Sequence, residues 1–242
     1  MGIDFTFLGC GSAFYPELGS NSAYFIDKDQ GMVLIDCGGD TFKKLHRNDA
    51  YLKAPSLTVF ITHTHSDHIG GLGTLVMHSW YALHRKTSII AADNTHARLI
   101  TDILHANGTP KDSYDVIITW KRRYSGFADP LRTAQYISTS HVSEIPSYAI
   151  EFNRPENITY WTGDTNDYQS VVDFLQLHRS FIDMMYVDCS LRDNPVHLNL
   201  SALNTMIEES DRKMITMMHF DGMEASNAAR QHGYHSAIDG MV

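Results

Sequence analysis

One segment of this 242-residue chain joins an apolar run to a dense group of polar side chains, and it reads Val59-Phe60-Ile61-Thr62-His63-Thr64-His65-Ser66-Asp67-His68-Ile69-Gly70-Gly71. The apolar start predicts a buried strand, and a helix is expected after the two glycines. Three histidines and one aspartate fall within six positions at the end of that strand. His63 and His65 are two residues apart, so both imidazoles would point the same way from a strand end. Asp67 and His68 could then reach the same pocket from the loop.

The chemistry of these four side chains favours a metal site. Each neutral imidazole offers a lone pair, and the carboxylate adds negative charge, a combination that suits zinc or a similar ion. The ordinary alternative is a polar surface loop. Four ligand-type residues directly before Gly70-Gly71 argue against that alternative.

Composition predicts one globular domain over residues 1–242. Hydrophobic residues make up 43% and charged residues 19% of the chain, which fits a full core and excludes a disordered protein. No Pro/Ser-rich linker, charge block or repeat divides the sequence. No apolar run approaches the roughly 18 residues of a membrane helix, and no signal peptide opens the chain, so no membrane association is expected.

The net charge and the cysteine content limit which binding partners and which cellular compartment are expected. The net charge of −9 disfavours long nucleic acids, and the only basic run is Lys121-Arg122-Arg123. The three cysteines form no CxxC pair, which is typical of a reduced setting in which thiols serve as core residues. A cytoplasmic location is therefore expected, in the host cytoplasm if a phage encodes the protein.

The order of the short apolar runs predicts a layered α/β (α+β) architecture. Strand-like runs come first in meanders and are then interleaved with helical patterns, which favours two packed mixed sheets with helices outside. Helices are expected over residues 41–47, 72–84, 95–107, 170–178, 201–209 and 224–232, with Ser201 as an N-cap. The glycines after the first strand do not complete a dinucleotide-binding GxGxxG pattern.

The spacing of residues 63–68 resembles the HxHxDH motif of the metallo-β-lactamase fold, an αββα sandwich with a binuclear metal centre. Three later positions resemble the rest of that family's ligand set. His141 follows a predicted strand, Asp164 lies in a Gly-Asp-Thr segment, and His219 ends an apolar strand. Each of these lies at a predicted strand end, which is where this fold places its site.

The resemblance implies two divalent metal ions per chain, with Zn²⁺ preferred and Mn²⁺ as the alternative. One ion would be held by His63, His65 and His141. The other would be held by Asp67, His68 and His219. Asp164 would bridge the two ions.

Within that fold, the chain is most similar to the phosphodiesterase branch that includes tRNase Z. Residues 7–13 and 34–38 resemble that branch's opening and LIDCGEGT segments, and Asp36 would hold the ligand loop from behind. His197 occupies the place of the branch's HST histidine, which protonates the leaving oxygen, and Asp188 could orient it. Asp67 would help hold the attacking water. Ser20 and Asn21 lie where the branch brings a polar loop towards the phosphate.

One departure from tRNase Z points to a smaller substrate. His141 and Asp164 are only 23 positions apart, which leaves no room for the long arm that grips tRNA. A compact enzyme of this kind resembles the anti-Pycsar proteins of phages and their bacterial relatives, which destroy cyclic mononucleotide signals such as cyclic CMP and cyclic UMP. The resemblance implies hydrolysis of 3′,5′-cyclic mononucleotides, cyclic AMP and cyclic GMP included as candidates, to evade antiphage signalling. It also implies a homodimer.

Three other functions stay open at this point. A tRNase Z-type 3′-end endoribonuclease is disfavoured by the missing arm. A lactamase, thioesterase or lactonase on the same fold is disfavoured by the His197 segment and the opening motif. A non-catalytic ligand-binding module is disfavoured by the complete set of seven ligand-type residues.

Overall fold

Thirteen β-strands form two mixed sheets within residues 3–242, the part of the chain that the computed structural model describes. The first sheet has its strands in sequence order: β1 (Thr6–Gly9), β2 (Ser22–Ile26), β3 (Met32–Ile35), β4 (Leu57–Phe60), β5 (Thr87–Ala91) and β6 (Tyr114–Ile118). The second sheet runs in reverse order from the last strand to β7: β13 (His235–Ser236), β12 (Ile215–Met218), β11 (Ile182–Asp188), β10 (Asn157–Trp161), β9 (Ser147–Arg154), β8 (Thr133–Thr139) and β7 (Arg123–Tyr124).

Helices cover the outer faces of both sheets. The first sheet is covered by helices that include α1 (Thr41–Leu45), α2 (Asp49–Lys53), α4 (Leu72–Tyr81) and α5 (Asn94–Ala106), and the one-turn α3 (Ser66–Ile69) precedes α4. The second sheet is covered by α6 (Tyr168–His178), α7 (Leu200–Met206) and α8 (Met223–Gln231). The predicted architecture of two packed mixed sheets with helices outside is confirmed.

Aromatic side chains fill the space between the sheets. Phe60 of β4 makes a T-shaped contact with Phe152 of β9, with ring centroids 5.6 Å apart. Phe7 of β1 stacks on Trp161 of β10, also at 5.6 Å. Such pairs contribute about 0.5–1.5 kcal/mol each beyond the burial of their surface. These contacts fix one sheet against the other, and with them the strand ends that carry the polar residues.

Strand β3 is apolar at every position because both of its faces are covered. Val33 and Ile35 contact the core between the sheets, whereas Met32 and Leu34 contact the core under the helices. A continuous apolar run of this kind is typical of a strand buried on both faces.

Parallel pairing brings the carboxyl ends of several strands to one edge of the molecule. Strands β3 to β6 are parallel to one another, and so are β10 to β13. In open α/β sheets, ligands bind in the crevice outside these ends. Strand β8 has the same direction as β10, so the loops after β3, β4, β8, β10, β11 and β12 determine the site.

The start of α7 differs from the sequence-based expectation. Asn199 is its N-cap, and its side-chain oxygen accepts hydrogen bonds from the backbone N–H groups of Ser201 and Ala202. Ser201 lies inside the helix, because asparagine caps a helix as well as serine does and occurs two residues earlier. The helix ends at Met206, and a 3₁₀-helix follows at Glu209–Met214.

Two sequence-based expectations concern membranes and thiols. Among the described residues, no helix combines the length and apolar character needed to cross a bilayer. Cys10, Cys37 and Cys189 are all buried and unbridged. The thiols therefore pack as core residues.

Candidate metal centre

The HxHxDH segment forms a loop and a single helical turn. Strand β4 ends at Phe60, so His63 and His65 follow the strand and do not belong to it. The prediction that a strand end aligns His63 and His65 is therefore wrong. His65 is the residue before α3, and α3 carries Asp67 and His68. A sharp change from strand to helical turn, and not strand pleating, brings the four side chains to one place.

Three imidazoles and one carboxylate form the first group of possible ligands. Nδ1 of His65 lies 3.1 Å from Nε2 of His63 and 3.2 Å from Nε2 of His141. Oδ2 of Asp164 lies 3.8 Å from His63 Nε2 and 3.7 Å from His141 Nε2. These four side chains direct one ligand atom each to a common point, all within 4.8 Å of one another.

Asp164 also belongs to a second group, with Asp67, His68 and His219. Its Oδ1 lies 3.2 Å from His68 Nε2, and its Oδ2 lies 3.3 Å from His219 Nε2. Oδ2 of Asp67 lies 3.4 Å from each of the same two nitrogens. The structure thus brings all seven sequence-predicted ligands together, in two groups that share the carboxylate of Asp164.

Buried acceptors orient three of these histidines from behind. Nδ1 of His68 donates to Oδ2 of Asp36 at 2.8 Å, and Nδ1 of His141 donates to the carbonyl of Val196 at 2.9 Å. Nδ1 of His219 lies 3.3 Å from Oδ1 of Asp188. Such partners fix the tautomer of a ligand histidine and leave its other nitrogen facing the metal.

The unsatisfied atoms at the centre fit a metal ion. Nε2 of His68 and Oδ1 of Asp164 are both buried and face each other at 3.2 Å, but within the described part of the chain neither makes a hydrogen bond of good geometry. Burial lowers the pKa of His63 far below its ordinary value and also lowers that of His65, so both offer lone pairs. Imidazole nitrogens and carboxylates in fours are the donor set of zinc and related ions.

Electrostatics at the second group also demand a cation. Burial, the largest single influence, lowers the pKa values of His68 and His219, but the surrounding carboxylates, Asp164 foremost among them, together outweigh it and raise both. The carboxylates of the cluster therefore favour positive charge at this point. Divalent ions bound here would supply that charge in place of protons, which is how metal binding couples to pKa.

Backbone geometry at the centre is unusual. Asp36 and His219 both have φ near +57°, a left-handed conformation that β-carbon-bearing residues rarely adopt. Gly163, directly before Asp164, has φ +60°, and a Cβ there would lie 2.9 Å from the carbonyl oxygen of Tyr148. Gly38 lets α3 approach, because a Cβ there would lie 2.0 Å from the carbonyl oxygen of Asp67. Strained residues of this kind cluster at functional sites.

His197 lies at the edge of the two groups, beside the rings of His141 and His219. Its Nδ1 donates to Oδ2 of Asp188 at 2.8 Å. Burial, the largest single influence, disfavours the imidazolium, but the charge and hydrogen bond of Asp188, together with the charge of Asp164, outweigh it and raise the pKa of His197 above its ordinary value. Asp188 thus supports one possible ligand with one oxygen and His197 with the other.

The two residues expected near the phosphate have different positions. Ser20 lines a 520 Å³ cavity that Asp67 also lines. Asn21 is completely buried, and its amide nitrogen lies 3.6 Å from the sulfur of Met218. Ser20 therefore shares a cavity with Asp67, whereas Asn21 lies in the interior.

Two residues at the site have no counterpart in the sequence-based prediction. Thr62 donates its backbone N–H and its hydroxyl to the two oxygens of Asp36, and its hydroxyl contacts Nδ1 of His63 at 3.1 Å. Phe14 lines the cavity over the metal centre. Thr62 adjoins the HxHxDH segment and could have been suspected on that ground, whereas no pattern in the sequence distinguishes Phe14.

The fold and this donor set define a metallo-β-lactamase-fold protein. The structure resembles the metallo-β-lactamase fold protein YhfI from Bacillus subtilis, with a TM-score of 0.72 and 18% identity, covering 98% of this chain and 96% of that one. It also resembles the short form of human tRNase Z, with a TM-score of 0.64 and 19% identity, covering 89% of this chain and 92% of that one.

Sequence comparison assigns the chain to one family within that fold. The chain is 29% identical over 232 residues to the anti-Pycsar protein Apyc1 of Bacillus phage BSP38, which covers 90% of this chain and 89% of the relative. The family pattern of the anti-Pycsar protein Apyc1 matches residues 3–239. The chain belongs to the anti-Pycsar Apyc1 family, and the family resemblance inferred from the sequence is confirmed.

Proposed function

We propose that this protein is a binuclear metal-dependent phosphodiesterase that hydrolyses 3′,5′-cyclic mononucleotides, cyclic CMP and cyclic UMP above all, to nucleoside monophosphates. The observation that carries the proposal is the carboxylate of Asp164, which lies within reach of both groups of possible ligands. A single tetrahedral site has no use for seven ligand residues, whereas two ions sharing one carboxylate use them all. Membership of the anti-Pycsar family supports the choice of substrate.

Different residues of the site would bind the metal ions and orient the attacking water. His63, His65 and His141 would hold one ion, and the second group would hold the other, with Asp164 shared. Bound metal ions of this kind lower the pKa of water and offset negative charge on phosphoryl oxygens. Asp67 is only half-buried and lines the cavity, so its carboxylate can also orient an incoming water by accepting a hydrogen bond.

His197 serves as the proton donor. Because Asp188 holds its Nδ1, its Nε2 is free to face the cavity that His197 lines. Hydrolysis breaks the bond between phosphorus and one ribose oxygen, and that oxygen takes the proton from Nε2 as it departs. The hydroxyl group of water ends on phosphorus, and the water's proton restores His197.

The hairpin between His141 and Asp164 favours a small substrate. Residues 142–146 form a short loop, and strands β9 and β10 use the rest of the interval, joined by only Pro155 and Glu156. No segment of this interval is left to reach out and bind a folded RNA. A cyclic mononucleotide carries a single negative charge, so the net charge of −9 does not oppose its binding strongly.

Three further features belong to the same proposal. The ions are Zn²⁺, with Mn²⁺ as the alternative. The protein acts as a homodimer, the commonest symmetric state of soluble oligomers. It acts in the cytoplasm, where unbridged cysteines such as the three in this chain are kept reduced.

A substrate panel tests the proposal. Purified metal-loaded protein is incubated with the four common 3′,5′-cyclic mononucleotides, pre-tRNA and a chromogenic β-lactam, and products are separated by chromatography. We expect rapid conversion of cyclic CMP and cyclic UMP to monophosphates, with little dependence on salt because few counterions are released. His65→Ala protein, purified in parallel, controls for contaminating phosphodiesterases.

Two results of that panel would contradict the proposal. Accurate cutting of pre-tRNA alongside inert cyclic nucleotides would assign the protein to the tRNase Z function. Tight binding of cyclic nucleotides without any turnover, at full metal loading, would make it a binding module.

A further inference from the structure

Phe14 is exposed to a degree that is unusual for a phenylalanine. It is 97% exposed, more than any other large apolar side chain among residues 3–242. Trp120, the next aromatic in exposure, has Lys121 over its ring at 4.7 Å, whereas Phe14 lies beside an open cavity. A fully exposed aromatic ring at a site's edge is available to cover the apolar face of a bound molecule.

Phe14 lines two adjoining cavities. The first, of 270 Å³, is over the metal centre and is lined by Asp67, Asp164 and His141 as well as Phe14. The second, of 320 Å³, is lined by Phe14 together with Tyr15 and Arg192. Both cavities share Phe14, Val196, His197 and His219. Each alone is near the lower end of the roughly 300–1,000 Å³ of small-molecule sites, so one ligand can extend through both.

The loop that carries Phe14 is held against the metal centre. The backbone N–H of Ser12 donates to the carbonyl of Phe220 at 2.9 Å, and the N–H of Phe220 donates to the carbonyl of Cys10 at 2.8 Å. Phe220 directly follows His219, one of the possible ligands. The ring of Phe14 is therefore carried by a loop whose position relative to the metal centre is fixed by backbone hydrogen bonds.

Another part of the second cavity's lining, residues 190–197 with Asp221, is held by internal hydrogen bonds. Oδ1 of Asn194 accepts from the backbone N–H groups of Val196 and His197. The carboxylate of Asp221 accepts from the backbone N–H groups of Leu191 and Arg192. These hydrogen bonds hold the backbone of residues 191–197 in place. The cavity beside Phe14 therefore has a fixed shape.

We infer that the second cavity is a nucleobase subsite and that Phe14 is the platform on which the base stacks. The inference rests on the proposed function: with the cyclic phosphate over the metal centre, the ribose passes His197 and the base enters the slot beside Phe14. A flat heteroaromatic base has an apolar face that a phenylalanine ring covers, and its edge stays in water. Phe14 is thus a positioning residue for the substrate.

Steady-state kinetics of Phe14→Ala test this inference. Stacking of one base on an aromatic ring is worth roughly 5- to 100-fold in binding, so kcat/KM for cyclic CMP should fall about tenfold, mainly through KM. The same variant should hydrolyse a base-free analogue, a ribose cyclic phosphate with hydrogen in place of the base, at the wild-type rate. Phe14→Trp is the matched control and should keep or improve activity on cyclic CMP. Because the ring is exposed, its removal leaves no cavity in the core.

Several results would overturn the inference. They are unchanged kinetics on cyclic CMP, an equal loss on the base-free analogue, or a change of mass in light scattering, since the last would place Phe14 in a subunit interface. Wild-type protein that turns over no cyclic nucleotide in the same assay would overturn the proposed function itself, and the subsite with it.

Discussion

Two buried aspartates occupy comparable places in the two sheets, and they support different groups. Asp36 follows β3 in the first sheet, and its oxygens accept from the backbone and hydroxyl of Thr62 and from Nδ1 of His68. Asp188 ends β11 in the second sheet. Its Oδ2 accepts from Nδ1 of His197 and from the backbone N–H of Thr165, and its Oδ1 faces Nδ1 of His219.

The difference shows how one kind of residue serves two purposes. The partners of the Asp36 carboxylate named above, Thr62 and His68, belong to or adjoin the HxHxDH segment, so we expect this carboxylate to act through the position of the metal ligands. Asp188 divides its two oxygens between a possible ligand and the proposed proton donor. Under the proposed function, the buried aspartate of the first sheet would support metal ligands, whereas that of the second sheet would support both a metal ligand and the proton donor.

Removal of a ligand on the first-sheet side should have the largest effect. His65 lies at the centre of its group, 3.1 Å from the nitrogen of His63 and 3.2 Å from that of His141. We expect His65→Ala to lose metal and to lose hydrolysis down to background. Elemental analysis of the purified protein, with close to two ions per wild-type chain as the reference, measures the first effect. Full metal content in this variant would remove His65 from the ligand set.

Removal of His197 should cost less and should separate turnover from metal content. The variant His197→Ala should keep both ions and the fold, yet lose roughly 10²–10⁴-fold in kcat, the usual worth of a general acid. Metal content and circular dichroism are measured on the same sample as kcat. Parallel loss of metal would make His197 a ligand, an arrangement for which it is close enough to Asp164, Asp188 and His219.

Substitution of Asp36 or Asp188 should have the smallest effect, and it tests most directly whether the two carboxylates have different roles. Loss of such a supporting group typically costs 10- to 100-fold in metal affinity or activity. For Asp36→Asn we expect the loss in metal affinity alone, with kcat restored by excess zinc. For Asp188→Asn we expect a loss in kcat that persists at saturating zinc. Both variants are titrated with zinc while hydrolytic activity is monitored, which separates a loss of metal affinity from a loss of kcat. Identical behaviour of the two variants would show that the two carboxylates have the same role.

The sequence predicts those parts of the site whose residues are close together or follow an apolar strand. The segment from His63 to His68 is informative alone, because its ligand types are dense. His141, Asp164 and His219 are far apart in sequence, and only the resemblance of their flanking residues to a known family connected them. The layered fold follows from the same run of strand patterns.

The rest depended on packing that a sequence pattern does not encode. The left-handed backbone of Asp36 and His219 has no sequence signal, since neither is a glycine. Asn21 is polar and sits in a loop-like segment, yet packing turns it inward. A phenylalanine is usually a core residue, and nothing in the sequence around Phe14 indicates otherwise. Only the three-dimensional structure shows that its side chain is exposed.

The short hairpin between β9 and β10 also makes the chain open to engineering. Strand β9 starts next to the metal centre and runs away from it for eight residues, roughly 25 Å at the usual rise per residue. Arg154 pairs with Asn157 across a turn of two exposed residues, Pro155 and Glu156. Exposed turns of this kind accept inserted sequence readily. A fluorescent reporter or an affinity module inserted into this turn would lie at the ends of the strands that are distant from the metal centre. The loops that carry the possible ligands would be left undisturbed.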